Sequence, residues 1–130
     1  MKKELDVAAA LIKRGDKLLL CQRKEGDSFA LLWEFPGGVV EKNESLEGAL
    51  TREIKEELDL EIEANTLVEK FHDENESLRI TVYLFDCAVK KGLPKAKDCN
   101  SLGFFSYKQA ESLALAPVDR KILNYLKSLP

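Results

Sequence analysis

Cysteine and histidine are scarce in this chain, with three of the first and one of the second in 130 residues. Cys21, Cys87 and Cys99 are widely spaced and include no C-x-x-C pair, which argues against a structural zinc site. Cys21 and Cys87 lie inside apolar runs and read as small buried hydrophobes of a reducing compartment. A thiol nucleophile finds no imidazole partner, because His72 stands alone on a polar-flanked segment and reads as a surface or strand-end residue. Long apolar runs are missing as well. The stretch after Met1-Lys2-Lys3-Glu4 is too short to span a membrane and carries no signal-peptide cleavage pattern, so a cytoplasmic location without membrane partners is expected. Nor does one sign of charge dominate: 20 Lys and Arg are interleaved with 23 Asp and Glu, for a net charge of −3. That balance argues against a surface built to coat a nucleic-acid polymer. Repeats, low-complexity tracts and linker-like segments are absent, and residues 1–130 read as one domain, able to bury roughly two-thirds of its unfolded surface.

What the chain does contain is concentrated between residues 37 and 60. Leu46, Leu50, Ile54 and Leu58 recur at i,i+4 steps and predict a helix over Ser45–Leu58. On that helix Glu53, Glu56 and Glu57 fall within an arc of roughly 100°. Glu53 and Glu57 form a like-charge i,i+4 pair that repels unless a cation sits between them. Hard divalent cations such as Mg²⁺ take oxygen ligands and usually arrive with phosphate. The competing reading is a solvated acidic face on which Arg52 offsets Glu56. Pro36-Gly37-Gly38 precedes the helix and reads as a loop shaped by glycine, or as an ordinary turn.

Strands are expected at Asp6–Ile12 and Lys17–Arg23, joined by a hairpin turn at Lys13-Arg14-Gly15-Asp16, and a short one at Leu31–Phe35. Glu61–Phe71 and Leu78–Val89 read as two more. In the second, Ile80, Val82 and Leu84 alternate with Thr81, Tyr83 and Phe85, so both faces are apolar and the strand should be central. Ser106 to Gln109 matches a capping box, and Pro117 suits the first position of a final helix running to about Leu126. These elements make a mixed sheet between helices.

Spacing decides between the two readings of the acidic face. From Gly38 the order is five residues, Glu44, seven residues, Arg52-Glu53-Ile54, one residue, Glu56-Glu57, one residue, Asp59 and Leu60. This resembles the Nudix box, G-x5-E-x7-R-E-U-x-E-E-x-G-U with U aliphatic, and departs from it only at Asp59, where the family has glycine. A helix-end glycine usually supplies a left-handed residue, a conformation Asp tolerates better than most side chains. The resemblance implies an α/β/α Nudix sandwich and attack of a metal-activated water on a pyrophosphate linkage, with Mg²⁺ as cofactor and Mn²⁺ able to substitute. Within it Glu56 and Glu57 are expected to be metal ligands, Glu53 a ligand or the base that activates water, Glu44 a more distant support, and Arg52 the residue that orients a glutamate. A Gly37 or Gly38 carbonyl is implied as a further ligand.

Beyond the box, Val7–Ile12, Cys21-Gln22-Arg23, Leu32–Gly38 and Leu113–Asp119 are similar to the MutT branch of the family. The ending Leu-Ala-Pro-x-Asp at residues 115–119 is similar to that of bacterial CTP pyrophosphohydrolases. The expected substrate is therefore a nucleoside triphosphate, leaning to a cytidine-type or modified pyrimidine nucleotide, cut to monophosphate and pyrophosphate. The alternatives are 8-oxo-dGTP, another diphosphate-linked nucleoside, or a silent nucleotide-binding role. Branch members place an acid six residues before an aromatic, which makes Asp98, six before Phe104, a candidate ligand or base beside its reading as a solvated loop acid. Asp119 could accept from an exocyclic amine of a base, or be a first-turn helix acid. Arg23 is a candidate phosphate fork, Glu34 an outer ligand or an exposed strand residue, and Arg79, Tyr83 and Phe29 are candidate pocket residues. The sequence does not distinguish a monomer from a homodimer.

Overall fold

The computed structural model describes residues 2–130. Eight strands and three helices follow one another: β1 (Lys3–Leu11), β2 (Lys13–Arg14), β3 (Lys17–Gln22), β4 (Trp33–Glu34), β5 (Gly37–Val39), α1 (Leu46–Leu58), β6 (Glu61–Glu74), β7 (Leu78–Lys91), β8 (Ser101–Phe105), α2 (Tyr107–Glu111) and α3 (Pro117–Ser128). One sheet has the order β5-β1-β7-β6, with β1 parallel to β7 and the other pairs antiparallel. The other sheet is built on β3, which pairs antiparallel with β2, β4 and β8.

Period-two patterning then dictates two cores. Ala8, Ala10, Leu19, Cys21 and Phe85 point to one side and pack with Leu50, Ile54 and Leu58 of α1. Ala9, Leu11, Leu18, Leu20, Val82 and Leu84 point to the other and pack with Ile122, Leu123 and Leu126 of α3. Strand β7 lies between β1 and β6 and is covered on both faces, as its double apolar pattern requires. The strand expected at Leu31–Phe35 is shorter than its apolar content suggested. Leu31 takes φ 64°, which ends extended pairing, and only Trp33 and Glu34 join the ladder.

The ends of α1 fix where its acids point. Ser45 caps the N-terminus by accepting from Gly48 N at 2.9 Å. At the other end Asp59 adopts the left-handed conformation, φ 53° and ψ 40°, and donates its N–H to Lys55 O. Its carboxylate pairs with Lys55 Nζ at 3.2 Å, which holds it below the usual carboxylate range and offsets its place at the negative helix end. The Ser106 capping box forms on α2, and Pro117 opens α3.

Candidate active site

The loop and strand at Gly37-Gly38 bring β1 and α1 into contact because neither residue has a side chain. A Cβ on Gly37 would strike the Ala8 carbonyl, and one on Gly38 would strike the Glu53 carboxylate. Glu53 therefore lies directly over the Gly38 backbone. Arg52 next to it organises three acids. It binds both oxygens of Glu44, from Nε at 2.7 Å and Nη2 at 2.8 Å, and donates from Nη1 to Glu53 Oε2 at 3.0 Å and Glu56 Oε2 at 3.5 Å. Its Nη2 also donates to Val39 O at 3.3 Å, which ties α1 to β5. The guanidinium holds the Glu44 carboxyl at about 2, helped by the Glu41 N–H.

Glu57 is the opposite case. Its Oε1 is buried without any hydrogen-bond partner. Burial pushes its carboxyl up to about 9; Glu34, Cys99 and Glu53 add to the shift, and Arg23 opposes it. Burial likewise raises Glu53 against the pull of Arg52, and Glu34 against the pull of Arg23. An orphaned buried oxygen among acids whose carboxyls burial raises is what a hard cation would relieve, and the donors are all oxygens. The residues fit a divalent cation in that chemical sense. With Arg52 engaging Glu53 and Glu56, no three His, Cys, Asp or Glu side chains among the described residues converge as a preformed metal cage.

On the far side of Gly37-Gly38 a cavity of about 220 Å³ opens between the first sheet and α3. Its walls are apolar residues of alternate positions, Leu5, Val7 and Ala9 from β1 and Ile80 and Val82 from β7, closed by Phe35 and Pro117. Arg23, Glu34 and Asp119 supply charge, and Phe29 stands half-exposed at the lining. Pockets for whole ligands run to ~300–1,000 Å³, so this one has room for only part of a ligand of that size. Asp119 is buried, accepts from Phe35 N through Oδ1 at 2.9 Å, and has its carboxyl pushed well up by burial and by Glu34. Glu34 lines the cavity, and its charge raises both Asp119 and Glu57, which couples the cavity to the acids of α1.

Other expected residues are placed differently. Arg23 lines the cavity but is already engaged, by Glu34 Oε1 at 3.1 Å and by the Ser28 carbonyl at 2.6 Å, so it is a positioned fork rather than a free one. Asp98 is exposed and its carboxylate accepts from Lys24 Nζ at 2.6 Å, while its N–H reaches Glu57 O at 3.0 Å. Arg79 and Tyr83 do not line the cavity. They are odd-numbered positions of β7, and the strand's alternation turns Tyr83 toward the core under α1 and Arg79 toward Glu74 and Glu4 at the surface. The even positions Ile80 and Val82 are the wall residues that the pattern held and the pocket reading missed. Asp73, near the end of β6, and Asn75, in the turn after it, also reach the cavity, at positions no motif marks.

A NUDIX domain matches residues 2–126. The CTP pyrophosphohydrolase of Escherichia coli strain K12 is 35% identical over 127 residues, covering 98% of this chain and 94% of its own. The 8-oxo-dGTP diphosphatase of Proteus vulgaris is 34% identical over 85 residues, 65% of this chain and 76% of its own. The solution structure of the Escherichia coli ORF135 protein superposes with a TM-score of 0.84 at 35% identity, covering 98% of this chain and 91% of that one.

Proposed function

As the chain belongs to the NUDIX domain family, a family of divalent-metal-dependent hydrolases, we propose that it cuts a nucleoside triphosphate to monophosphate and pyrophosphate with Mg²⁺, and that cytidine-type nucleotides are preferred. It is a hydrolase of nucleotide pyrophosphate bonds, as its pyrophosphohydrolase relatives are. The observation that carries the finer reading is the junction at Glu34 and Gly37-Gly38. An acid group with one unpartnered buried oxygen, Glu57 Oε1, lies on one side and an apolar cavity edged by acids on the other. A phosphate chain crossing that junction would leave its base in the cavity.

Glu57 and Glu53 would hold the cation with Glu56, and a Gly37 or Gly38 carbonyl and Asp98 are further candidates. When bound, a divalent cation neutralises phosphoryl oxygens and acidifies a water. The chain's own residues do the rest. Glu53 Oε1 is free of the Arg52 bond that occupies Oε2, and is the atom that would take the water's proton. Arg52 and Glu44 hold that carboxylate in place, and Arg23, steadied by Glu34, presents a guanidinium at the cavity.

Cytidine preference is supported by the relative named CTP pyrophosphohydrolase and by Asp119, a buried acid that can accept from the exocyclic amine of cytosine. A second reading, 8-oxo-dGTP, is supported by the Proteus relative, and Asp119 can equally meet a guanine amine. Product analysis tests the bond cleaved. CTP should give CMP and pyrophosphate; CDP and inorganic phosphate would contradict the proposed cleavage.

A further inference from the structure

Two thiols beside Glu57 take no part in this chemistry. Cys21 lies in β3 and is buried; Cys99, half-buried, stands where the chain approaches β8, and both belong to the core under α1. Their chain neighbours are tied together twice, by Asn100 N to Gln22 O at 2.9 Å and by Asn100 Nδ2 to Gln22 Oε1 at 2.6 Å. Each thiol is the largest influence on the other's pKa, raising Cys21 and lowering Cys99, and Cys99 Sγ donates to Ser101 O at 3.4 Å. Cys87 turns instead to Phe85 O on β7.

From this juxtaposition we propose that Cys21 and Cys99 form a reversible disulfide when the protein meets hydrogen peroxide, and that closing it lowers turnover by displacing Glu57. Cys99, the more exposed, attacks the peroxide; the O–O bond breaks, a sulfenic acid forms and water leaves. The Cys21 thiol then attacks that sulfur, the S–S bond forms, the S–O bond breaks and a second water leaves. Two electrons pass from the thiol pair to the peroxide, and a dithiol reductant returns them by exchange. Reversible bonds of this kind are the usual form of disulfide in a reducing compartment.

The coupling to Glu57 is through the backbone. Lys97 N and Asp98 N both donate to Glu57 O, at 3.1 and 3.0 Å, so the residues just before Cys99 hold the last turn of α1. A disulfide is only about 2.05 Å long, shorter than any thiol contact, so closure draws Cys99 toward β3 and pulls on that anchor. Bond formation needs no substrate to be known; the effect on turnover rests on the proposed function.

The test treats reduced wild type, Cys99→Ser and Cys99→Ala with hydrogen peroxide. Free thiols are then blocked, peptides are mapped, and CTP turnover with Mg²⁺ is measured before oxidation, after it and after dithiothreitol. The wild type should lose two hydrogens, join the Cys21 peptide to the Cys99 peptide, and slow on the order of tenfold, the scale of a small misplacement in an active site. Dithiothreitol should restore it, and neither variant should link or slow. Oxidation without a Cys21–Cys99 link, a link through Cys87, or a linked protein with unchanged turnover would overturn the proposal. If the reduced wild type turned over no nucleotide, the proposed function would fail instead, and peptide mapping would still decide the bond.

Discussion

Glu57 is the residue at which burial and charge conflict most, and the conflict can be measured in the metal-free protein. Its carboxyl rises from 4.5 to about 9 on folding, so the folded chain binds more protons than the unfolded one between those limits. The neutral acid's contribution is fully present below the lower limit and is lost as pH rises to the upper one. With EDTA present, stability should fall between about pH 6 and pH 8 by up to about 1.4 kcal/mol per pH unit. Glu57→Gln should flatten that slope in thermal melts; an unchanged slope would place the titration on other groups. Glu53 is tested by kinetics. Glu53→Gln keeps the volume and removes the proposed proton acceptor or ligand, so kcat should drop by about 10² or more while the melting temperature holds. Near-normal turnover would take Glu53 out of the mechanism.

At the scale of elements, the proposed reaction requires α1 to lie close against the glycine strand. Gly38→Ala places a methyl group against the Glu53 carboxylate. It should cut kcat at least ~tenfold with little change in circular dichroism, and a fully active variant would show that the close approach is dispensable. The far end of α1 is a matter of stability. Asp59→Gly relieves a left-handed non-glycine residue and should raise the melting temperature by about 2–4 °C with kcat unchanged. Here the limits of sequence reading also become physical. Helix α1 and the left-handed Asp59 were legible, because periodicity and the residue at a helix end are local, whereas Ser45, expected as the first helical residue, is the cap. The central place of β7 was legible from its two apolar faces. Which face met the cavity was not, and Arg79 and Tyr83 were expected where Ile80 and Val82 stand. Alternation gives two faces without saying which helix covers each. The engagement of Arg23 by Glu34 and of Asp98 by Lys24 depends on contacts across 11 and 74 residues, which no local pattern records.

The whole molecule works as two layers that meet at one seam. Helix α1 covers one face and carries the acids, α3 covers the other and closes the cavity, and Glu34 with Gly37-Gly38 lies between them. The box residues came from one stretch of chain and could be read there, whereas the cavity is assembled from β1, β5, β7, α3 and the turn after β6 and becomes visible only once these are folded. No helix among the described residues is long and apolar enough to cross a membrane. The account's central claim is that a cation held by the acids of α1 and a base held in the cavity act on the same nucleotide. Its most direct test is pyrophosphate release from CTP, dCTP, 5-methyl-dCTP, dGTP and 8-oxo-dGTP with Mg²⁺, each repeated with EDTA. Metal-dependent release, fastest for a cytidine nucleotide, is the predicted result. Absence of release from every triphosphate, or release that EDTA leaves untouched, would contradict it.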